Sequence, residues 1–249
     1  MVRGHLAQPW RNMILPECAM ELIVNLGDPQ TLCDLETQTR TVFRHSWISG
    51  LRTEPIVIDE SGYVHLIGVR LRPGGAWPFL GIPLAEFARQ VVDLNAVLGP
   101  EMDKLRTRLG EEQSDPERFA ILERWLEARR RSHTAPTPAV RRALGAIRER
   151  RAPVRIGPLA DEIGISHKHL LREFDRCVGL RPKVFARVSA FQRLIVAVGH
   201  RTEVDWGRTA AEQGYCDQAH LIREFRSYSG LTPSEYLRRR GPILNYLEV

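Results

Sequence analysis

The stretch GYCDQAHLIREFRSYSGLTPSEYLR, residues 214–238, decides the fold of the C-terminal half of this chain. A similar stretch, GISHKHLLREFDRCVGLRP, occupies residues 164–182, so that LLREF at 170–174 returns as LIREF at 221–225. Both copies contain a glycine, then a polar residue that can cap a helix, then two apolar residues four positions apart. The repeat predicts two helical units of the same design in one chain.

Each copy is typical of a helix-turn-helix unit. In the first copy, a short helix containing Ala160 ends at Gly164, and Ser166 is placed to cap the next helix through its hydroxyl. That next helix buries Leu170 and Phe174. The second copy has the equivalent core residues Ala210, Gly214, Leu221 and Phe225. A small residue and a glycine let two helices cross closely, as in units whose second helix enters the DNA major groove.

The charge distribution favours a nucleic-acid partner for the half that holds the repeat. The net charge of +6 hides an asymmetry between the two halves. Residues 136–249 contain 20 Lys and Arg against 12 Asp and Glu, whereas residues 1–135 contain 16 against 18. A basic surplus in one region is expected of a nucleic-acid binder. The alternative is a pair of helical hairpins in an α-only domain that binds no ligand.

The segment between the two copies predicts a rigid connection. Residues 182–199 read as one continuous helix, with Phe185, Val188, Leu194 and Ile195 available for burial. About sixteen helical residues span roughly 24 Å. A helix of that length can hold two recognition helices about one DNA turn, roughly 34 Å, apart. One chain would then read two successive segments of the major groove.

The C-terminal half, from Val140 to Arg240, resembles the DNA-binding domain of the AraC/XylS family of bacterial transcription regulators. Residues 214–238 follow the family pattern G[FY]xDxxxFxRxFxxxxGxTPxxYR at nearly every marked position. Leu221 replaces the usual Phe, and Leu237 separates the tyrosine and arginine that the family joins directly. The first copy also matches, with Phe185 where Tyr is more usual.

This resemblance implies a sequence-specific transcription regulator whose partner is double-stranded promoter DNA. RNA polymerase would be a second partner if the chain is an activator. The residues that face outward on the two recognition helices are the predicted DNA contacts. They are His167, Lys168, Leu171 and Arg172 on the first helix, and Gln218, Ala219, His220, Ile222 and Arg223 on the second.

The chemistry of these side chains suits base reading. Arginine can donate two hydrogen bonds to guanine and glutamine can pair with adenine, while Leu171, Ala219 and Ile222 can contact a thymine methyl. Arg172 and Arg223 could instead bind phosphates, which gives affinity without sequence information. Both interpretations stay open for each arginine.

The N-terminal half predicts a sheet followed by helices. Short β-like runs at 20–26, 41–48, 55–59 and 63–71 alternate with turn signals, which favours an antiparallel sheet or small barrel over residues 14–80. From 83 to 131 the apolar period is helical. The predicted helices cover 83–99, with Leu84, Phe87, Val91 and Leu94 in a stripe, then about 100–109, and then about 116–131, with Phe119, Leu122, Trp125 and Leu126 in a stripe.

Two stretches of this half, residues 14–29 and 66–83, resemble the sensor-type domain of one AraC-type subgroup, and such domains are often related to cupin barrels. The resemblance implies a domain that binds a small-molecule effector or forms a homodimer. The predicted fold class is therefore α+β multidomain, with a cupin-like N-terminal sheet and an all-α DNA-binding domain. The predicted boundaries are 1–131 for the first domain, 132–138 for a linker, 139–240 for the DNA-binding domain and 241–249 for a tail.

An enzyme is the main competing prediction, because some cupin-like domains hold a catalytic metal. Such a site needs an HxH pair with a carboxylate, but His45 and His65 are isolated, and the HKH of 167–169 lies on the recognition helix. No nucleophile elbow, P-loop or dinucleotide fingerprint is present. Trp77 and Phe79 are either core residues or part of a ligand pocket. We therefore predict no catalytic residue, no metal and no cofactor; an enzyme or a protein-interaction domain fused to the DNA-binding module remains the alternative.

Cysteine usage and hydropathy predict a cytoplasmic location. The four cysteines form no CxxC pair, which suits a reducing compartment. There is no apolar run of about eighteen residues and no signal-peptide pattern at the N-terminus, so no membrane partner is expected.

Overall fold

The protein is described here by a computed structural model that covers residues 1–34, 37–130, 135–150 and 154–248. Within these ranges, an N-terminal β-sheet domain is followed by a helical C-terminal domain. The strands are β1 (Val2–His5), β2 (Trp10–Ile14), β3 (Met20–Asn25), β4 (Gln30–Cys33), β5 (Arg40–Phe43), β6 (Ser46–Ser49), β7 (Ile56–Glu60), β8 (Tyr63–Leu71), β9 (Val91–Asp93) and β10 (Tyr246–Glu248).

The strands form two antiparallel five-stranded sheets. The order in the first sheet is β1-β8-β3-β6-β9, and the order in the second is β10-β2-β7-β4-β5. The longest ladder joins β3 to β8, from the pair Met20 and Leu71 to the pair Asn25 and Leu66. Met20, Leu22 and Val24 alternate with less buried residues, because successive side chains of a strand point to opposite faces. The predicted sheet is confirmed, but it extends beyond the expected limits of 14 and 80 at both ends.

Most of the helices lie in the C-terminal domain. They are α1 (Trp77–Leu80), α2 (Leu94–Leu98), α3 (Glu101–Glu111), α4 (Asp115–Arg129), α5 (Pro138–Glu149), α6 (Ile156–Ile163), α7 (His167–Cys177), α8 (Pro182–Val198), α9 (Trp206–Glu212), α10 (Gln218–Ser229) and α11 (Pro233–Arg239). Part of the expected linker at 132–138 lies outside the described residues, which resume at 135.

The single helix predicted over 83–99 is wrong. The structure has a 3-10 helix at Leu84–Phe87, then β9, then α2. The chain turns at Arg89, whose φ is 63°, and residues 91–93 then pair with β6. A short apolar run does not distinguish strand from helix by its period alone, and here the free edge of β6 decided the outcome.

The apolar stripe predicted for α4 is also wrong in part. Leu122 is buried as predicted, and Trp125 packs against the core. Phe119, however, is 39% exposed, while Ile121 and the guanidinium of Arg118 are buried. Arg118 donates from Nε to the carbonyl of Leu109 at 3.0 Å, and it also donates to the carbonyl of Glu112. These carbonyls lie at the end of α3, where no further amide of the helix can donate to them. The buried guanidinium of Arg118 supplies the missing hydrogen bonds.

The last residues of the chain do not form a separate tail as predicted. Strand β10 pairs with β2 through Tyr246 to Glu248, and the carbonyl of Asn245 accepts a hydrogen bond from the amide of Leu15 at 2.9 Å. The Leu247 side chain is fully buried in a core that contains residues of both domains. The chain therefore returns from the helical domain to complete the second sheet.

Replacing Leu247 by alanine is expected to lower the free energy of unfolding by about 2–5 kcal/mol, because it removes a fully buried side chain from the shared core. Urea denaturation followed by circular dichroism measures this. Glu248→Ala in the same strand is the matched control and should change little, since Glu248 is exposed. Equal effects of the two substitutions would mean that β10 is not anchored as described.

Candidate nucleic-acid interface

The first helix-turn-helix unit consists of α6 and α7. Gly164 ends α6 with a φ of 84°, a left-handed conformation that favours glycine. The Ser166 hydroxyl then accepts a hydrogen bond from the amide of His169 at 3.2 Å and caps α7. Ala160, Leu170 and Phe174 are fully buried between the two helices and their neighbours.

The second unit consists of α9 and α10 and repeats this construction. Gly214 follows α9 with a φ of 80°. The Asp217 carboxylate accepts a hydrogen bond from the amide of His220 at 2.6 Å, so it caps α10. The buried residues are Ala210, Leu221 and Phe225, at the positions equivalent to those of the first unit.

Helix α8 holds both recognition helices. The ring of Phe185 packs edge-on against Phe174 of α7, with centroids 6.2 Å apart. Near the middle of α8, the ring of Phe191 packs edge-on against Phe225 of α10 at 5.1 Å. Phe185, Val188, Leu194 and Ile195 are all fully buried. At 17 residues, α8 is roughly 25 Å long, close to the predicted length.

The predicted DNA-contact residues lie on the outer faces of α7 and α10, with differing exposure. The exposed ones are His167, Lys168 and Arg172 on α7, and Gln218, Ala219 and Arg223 on α10. Leu171, His220 and Ile222 are half-buried. His220 is held in place, because its Nδ1 lies 3.3 Å from the amide of Cys216 and its ring packs edge-on against Tyr215. Ile222 packs against the core.

Electrostatic pairing distinguishes the exposed cations of this region. Arg187 on α8 donates to both carboxylate oxygens of Glu224 on α10, at 3.0 and 2.7 Å, and these hydrogen bonds raise the pKa of Arg187. By contrast, Lys168 and Arg223 form no salt bridge with any described residue. Cations without a protein partner can neutralise DNA phosphates or reach base edges.

The contact between Arg187 and Glu224 was not predicted from the sequence. The two residues are 37 positions apart and belong to different helices. No local pattern signals such a pair, since its geometry depends on how α8 and α10 cross. The contact adds a bidentate ion pair to the aromatic packing that orients the second recognition helix.

The other candidate residues, which belong to the sheet domain, differ in burial. Trp77 is buried and Phe79 packs against the core, so the core interpretation fits both residues. His65 is buried, and burial lowers its pKa, whereas His45 is exposed and lies 3.8 Å from Asp103. The described residues contain no group of three or more His, Cys, Asp or Glu side chains that could hold a metal ion. In the same residues, no helix is both long and apolar enough to cross a membrane.

Two family profiles match the chain. Residues 159–239 match a helix-turn-helix domain, and residues 1–93 match a domain of unknown function, DUF6597. No curated protein is significantly similar to the chain.

Among solved structures, ToxT from Vibrio cholerae is 10% identical, with a TM-score of 0.52 over 93% of this chain and 97% of that chain. ToxT from the strain O395, bound to (E)-4-(8-methylnaphthalen-1-yl)but-3-enoic acid, gives 10% identity and a TM-score of 0.50 over the same shares of the two chains. A probable AraC family transcriptional regulator from Rhodopseudomonas palustris is 27% identical, with a TM-score of 0.36 over 41% of this chain and 96% of that chain.

The two capped helix-turn-helix units and the sheet domain define a two-domain DNA-binding protein with the same overall architecture as ToxT. Residues 159–239 of the helical domain belong to a helix-turn-helix domain, a unit whose second helix can enter the major groove of DNA.

Replacing Asp217 by alanine is expected to lower the free energy of unfolding by about 0.5–2 kcal/mol, because the α10 amides lose their capping acceptor. Asp217→Asn is the matched control and should retain most of the stability, since asparagine caps about as well. Chemical denaturation of the three proteins measures the effect. A loss as large in the asparagine variant as in the alanine variant would contradict the capping role.

Proposed function

We propose that this chain is a transcription regulator of the AraC type. It would bind promoter DNA by placing α7 and α10 in two successive segments of the major groove. Arg172 and Lys168 of α7, with Gln218 and Arg223 of α10, would supply the polar contacts. The observation that carries the proposal is the packing of both recognition helices against α8, at Phe185 and Phe191. A single straight helix between two recognition helices fits a fixed spacing along one face of the duplex.

The two helices differ in what they offer to DNA. On α7 the Nη2 of Arg172 lies 2.9 Å from Nδ1 of His169, so its guanidinium is partly oriented before DNA is bound. On α10 the exposed Arg223 has no such contact among the described residues and can adapt to a base or to a phosphate. Recognition of the DNA sequence would therefore combine one oriented arginine, Arg172, with one arginine that is free to adapt, Arg223.

The sheet domain would control this DNA binding or its consequence for transcription in the cytoplasm. A small-molecule effector is one means, and the acid bound by ToxT in a structure of the same fold supports testing small acids. Homodimer formation is the second candidate, favoured by Phe119, a large apolar side chain left 39% exposed on α4. RNA polymerase would be the further partner if the chain activates transcription. A catalytic role for the sheet domain has no support among the described residues.

The function is tested by selecting genomic fragments that the purified chain binds, at two salt concentrations. The expected result is an asymmetric motif with two contact blocks about one helical turn apart, roughly 34 Å. Binding without an enriched motif, lost steeply as salt increases, would mean that only phosphates are contacted and would overturn the proposal.

Replacing Arg223 by alanine is expected to weaken binding to the selected motif by about 1–3 kcal/mol if its guanidinium reads a base. Fluorescence anisotropy on the motif and on a scrambled duplex measures this. Arg44→Ala is the matched control, because it removes the same charge from an exposed turn of the sheet domain. If Arg223→Ala weakens binding equally on the two duplexes, Arg223 binds phosphate and does not read sequence.

A further inference from the structure

A groove of about 820 Å³ lies between the sheet domain and the DNA-binding domain. Arg70 and Arg72, at the end of β8 and just after it, line one side. Arg148 of α5 and Arg193 of α8 line the other side. Each domain therefore contributes two arginines to the same opening.

The lining of this groove is positively charged. The side chains that line it include four arginines and no carboxylate. Arg70 pairs with Glu17, which is buried outside the lining. Arg72 and Arg148 form no salt bridge with any residue of the described ranges. The guanidinium groups of Arg72 and Arg148 are thus available to an anion that enters the groove.

The polar groups of the groove are also partly oriented. Arg193 donates from Nη1 to the carbonyl of Ile147 at 3.3 Å and to the hydroxyl of Ser189 at 3.2 Å. Gln192, which also lines the groove, donates to Asn245 at 3.2 Å. These contacts come from α5, α8 and the segment before β10, so the groove wall is built from elements that the fold already holds in place.

We propose that this groove binds a compact small molecule with two or more negative charges, such as a phosphate ester or a dicarboxylate or tricarboxylate. The planar guanidinium groups match carboxylate and phosphate oxygens in pairs. The lining favours a short, highly charged molecule over a long apolar acid, because seven of its twelve residues are arginine, glutamine or serine. A dianion can contact arginines of both domains at once.

Binding of an anion in this groove would couple the sheet domain to the recognition of DNA by α10. Arg193 and Phe191 are neighbours on α8, and Phe191 packs against Phe225 of the second recognition helix. A ligand that draws Arg72 and Arg148 together changes how the sheet domain sits against α5 and α8. The regulatory consequence rests on the proposed function, whereas the binding of the anion does not.

The test is isothermal titration of the full chain with pyrophosphate and with citrate at constant ionic strength. Two further compounds are titrated for comparison: octanoate, which is an apolar monocarboxylate, and sulfate, which is a small inorganic dianion. The variants are Arg72→Gln and Arg148→Gln, one from each domain, and their combination. Arg44→Gln is the control, because it removes one positive charge from an exposed position outside the groove lining. Circular dichroism of each variant without ligand verifies that it is folded.

The expected result is saturable binding of citrate, of pyrophosphate or of both. Each single variant should weaken that binding about tenfold, the double variant should abolish it, and Arg44→Gln should leave it unchanged. The proposal is overturned if neither anion binds, if octanoate binds more tightly than both, or if the double variant binds as well as the original chain. Weaker DNA binding by the double variant without any anion binding would also overturn it, because the arginines would then contact DNA.

A second titration separates this inference from the proposed function. DNA affinity for the selected motif is measured with and without the bound anion. A change in affinity supports coupling through α8, and an unchanged affinity overturns the coupling while the anion site stands. If no specific DNA motif exists, the anion titration still decides whether the groove is a binding site.

Discussion

The packing of α8 against both recognition helices is the constraint on which the DNA-binding domain depends. Phe174 and Phe225 occupy equivalent places in the two units, and each inserts its ring against a phenylalanine of α8. Buried aromatic pairs of this kind contribute large apolar area and prefer a defined edge-to-face geometry. Because α8 is continuous, the relative position of α7 and α10 follows from the positions of Phe185 and Phe191 along it.

The DNA-binding domain also packs against the sheet domain at two places. Helix α7 packs against the 3-10 helix at Leu84–Phe87, and Gly179 lies so close that an added Cβ would come within 2.9 Å of the carbonyl of Leu84. At the other end, β10 crosses back to β2 and buries Leu247 in the common core. The two domains are therefore joined by a continuous apolar core, and changes in the sheet domain can reach the recognition helices through packed side chains.

The arginines of these elements fall into two groups, those paired with an acidic side chain and those without such a partner among the described residues. Arg187 pairs with Glu224 within the DNA-binding domain and orients α10. Arg72 and Arg148 instead line an open groove at the domain boundary without a salt-bridge partner among the described residues. Paired arginines stabilise the arrangement of helices, whereas unpaired ones are available to anionic ligands.

The sequence by itself determined the features that depend on neighbouring residues. The cap Ser166, the turn glycines and the apolar pair Leu170 and Phe174 act within one or two helical turns, so their pattern predicted the helix-turn-helix units. The continuous helical pattern of residues 182–199 predicted the length of α8. The helical period of the apolar residues also predicted which faces of α7 and α10 point away from the core. It did not predict that His220 and Ile222 are half-buried.

Only the tertiary structure decided the features that join distant segments. The Asn245 amide donates to Glu17 across 228 positions. Strand β9 interrupts a predicted helix because β6 offered a free edge, and Arg118 rather than Phe119 is buried in α4. The arginine groove likewise draws its side chains from both domains. These features depend on which distant segments come into contact in the folded chain. The local hydrophobic pattern of each segment does not specify its strand partner, its buried ion pair or its contact with the other domain.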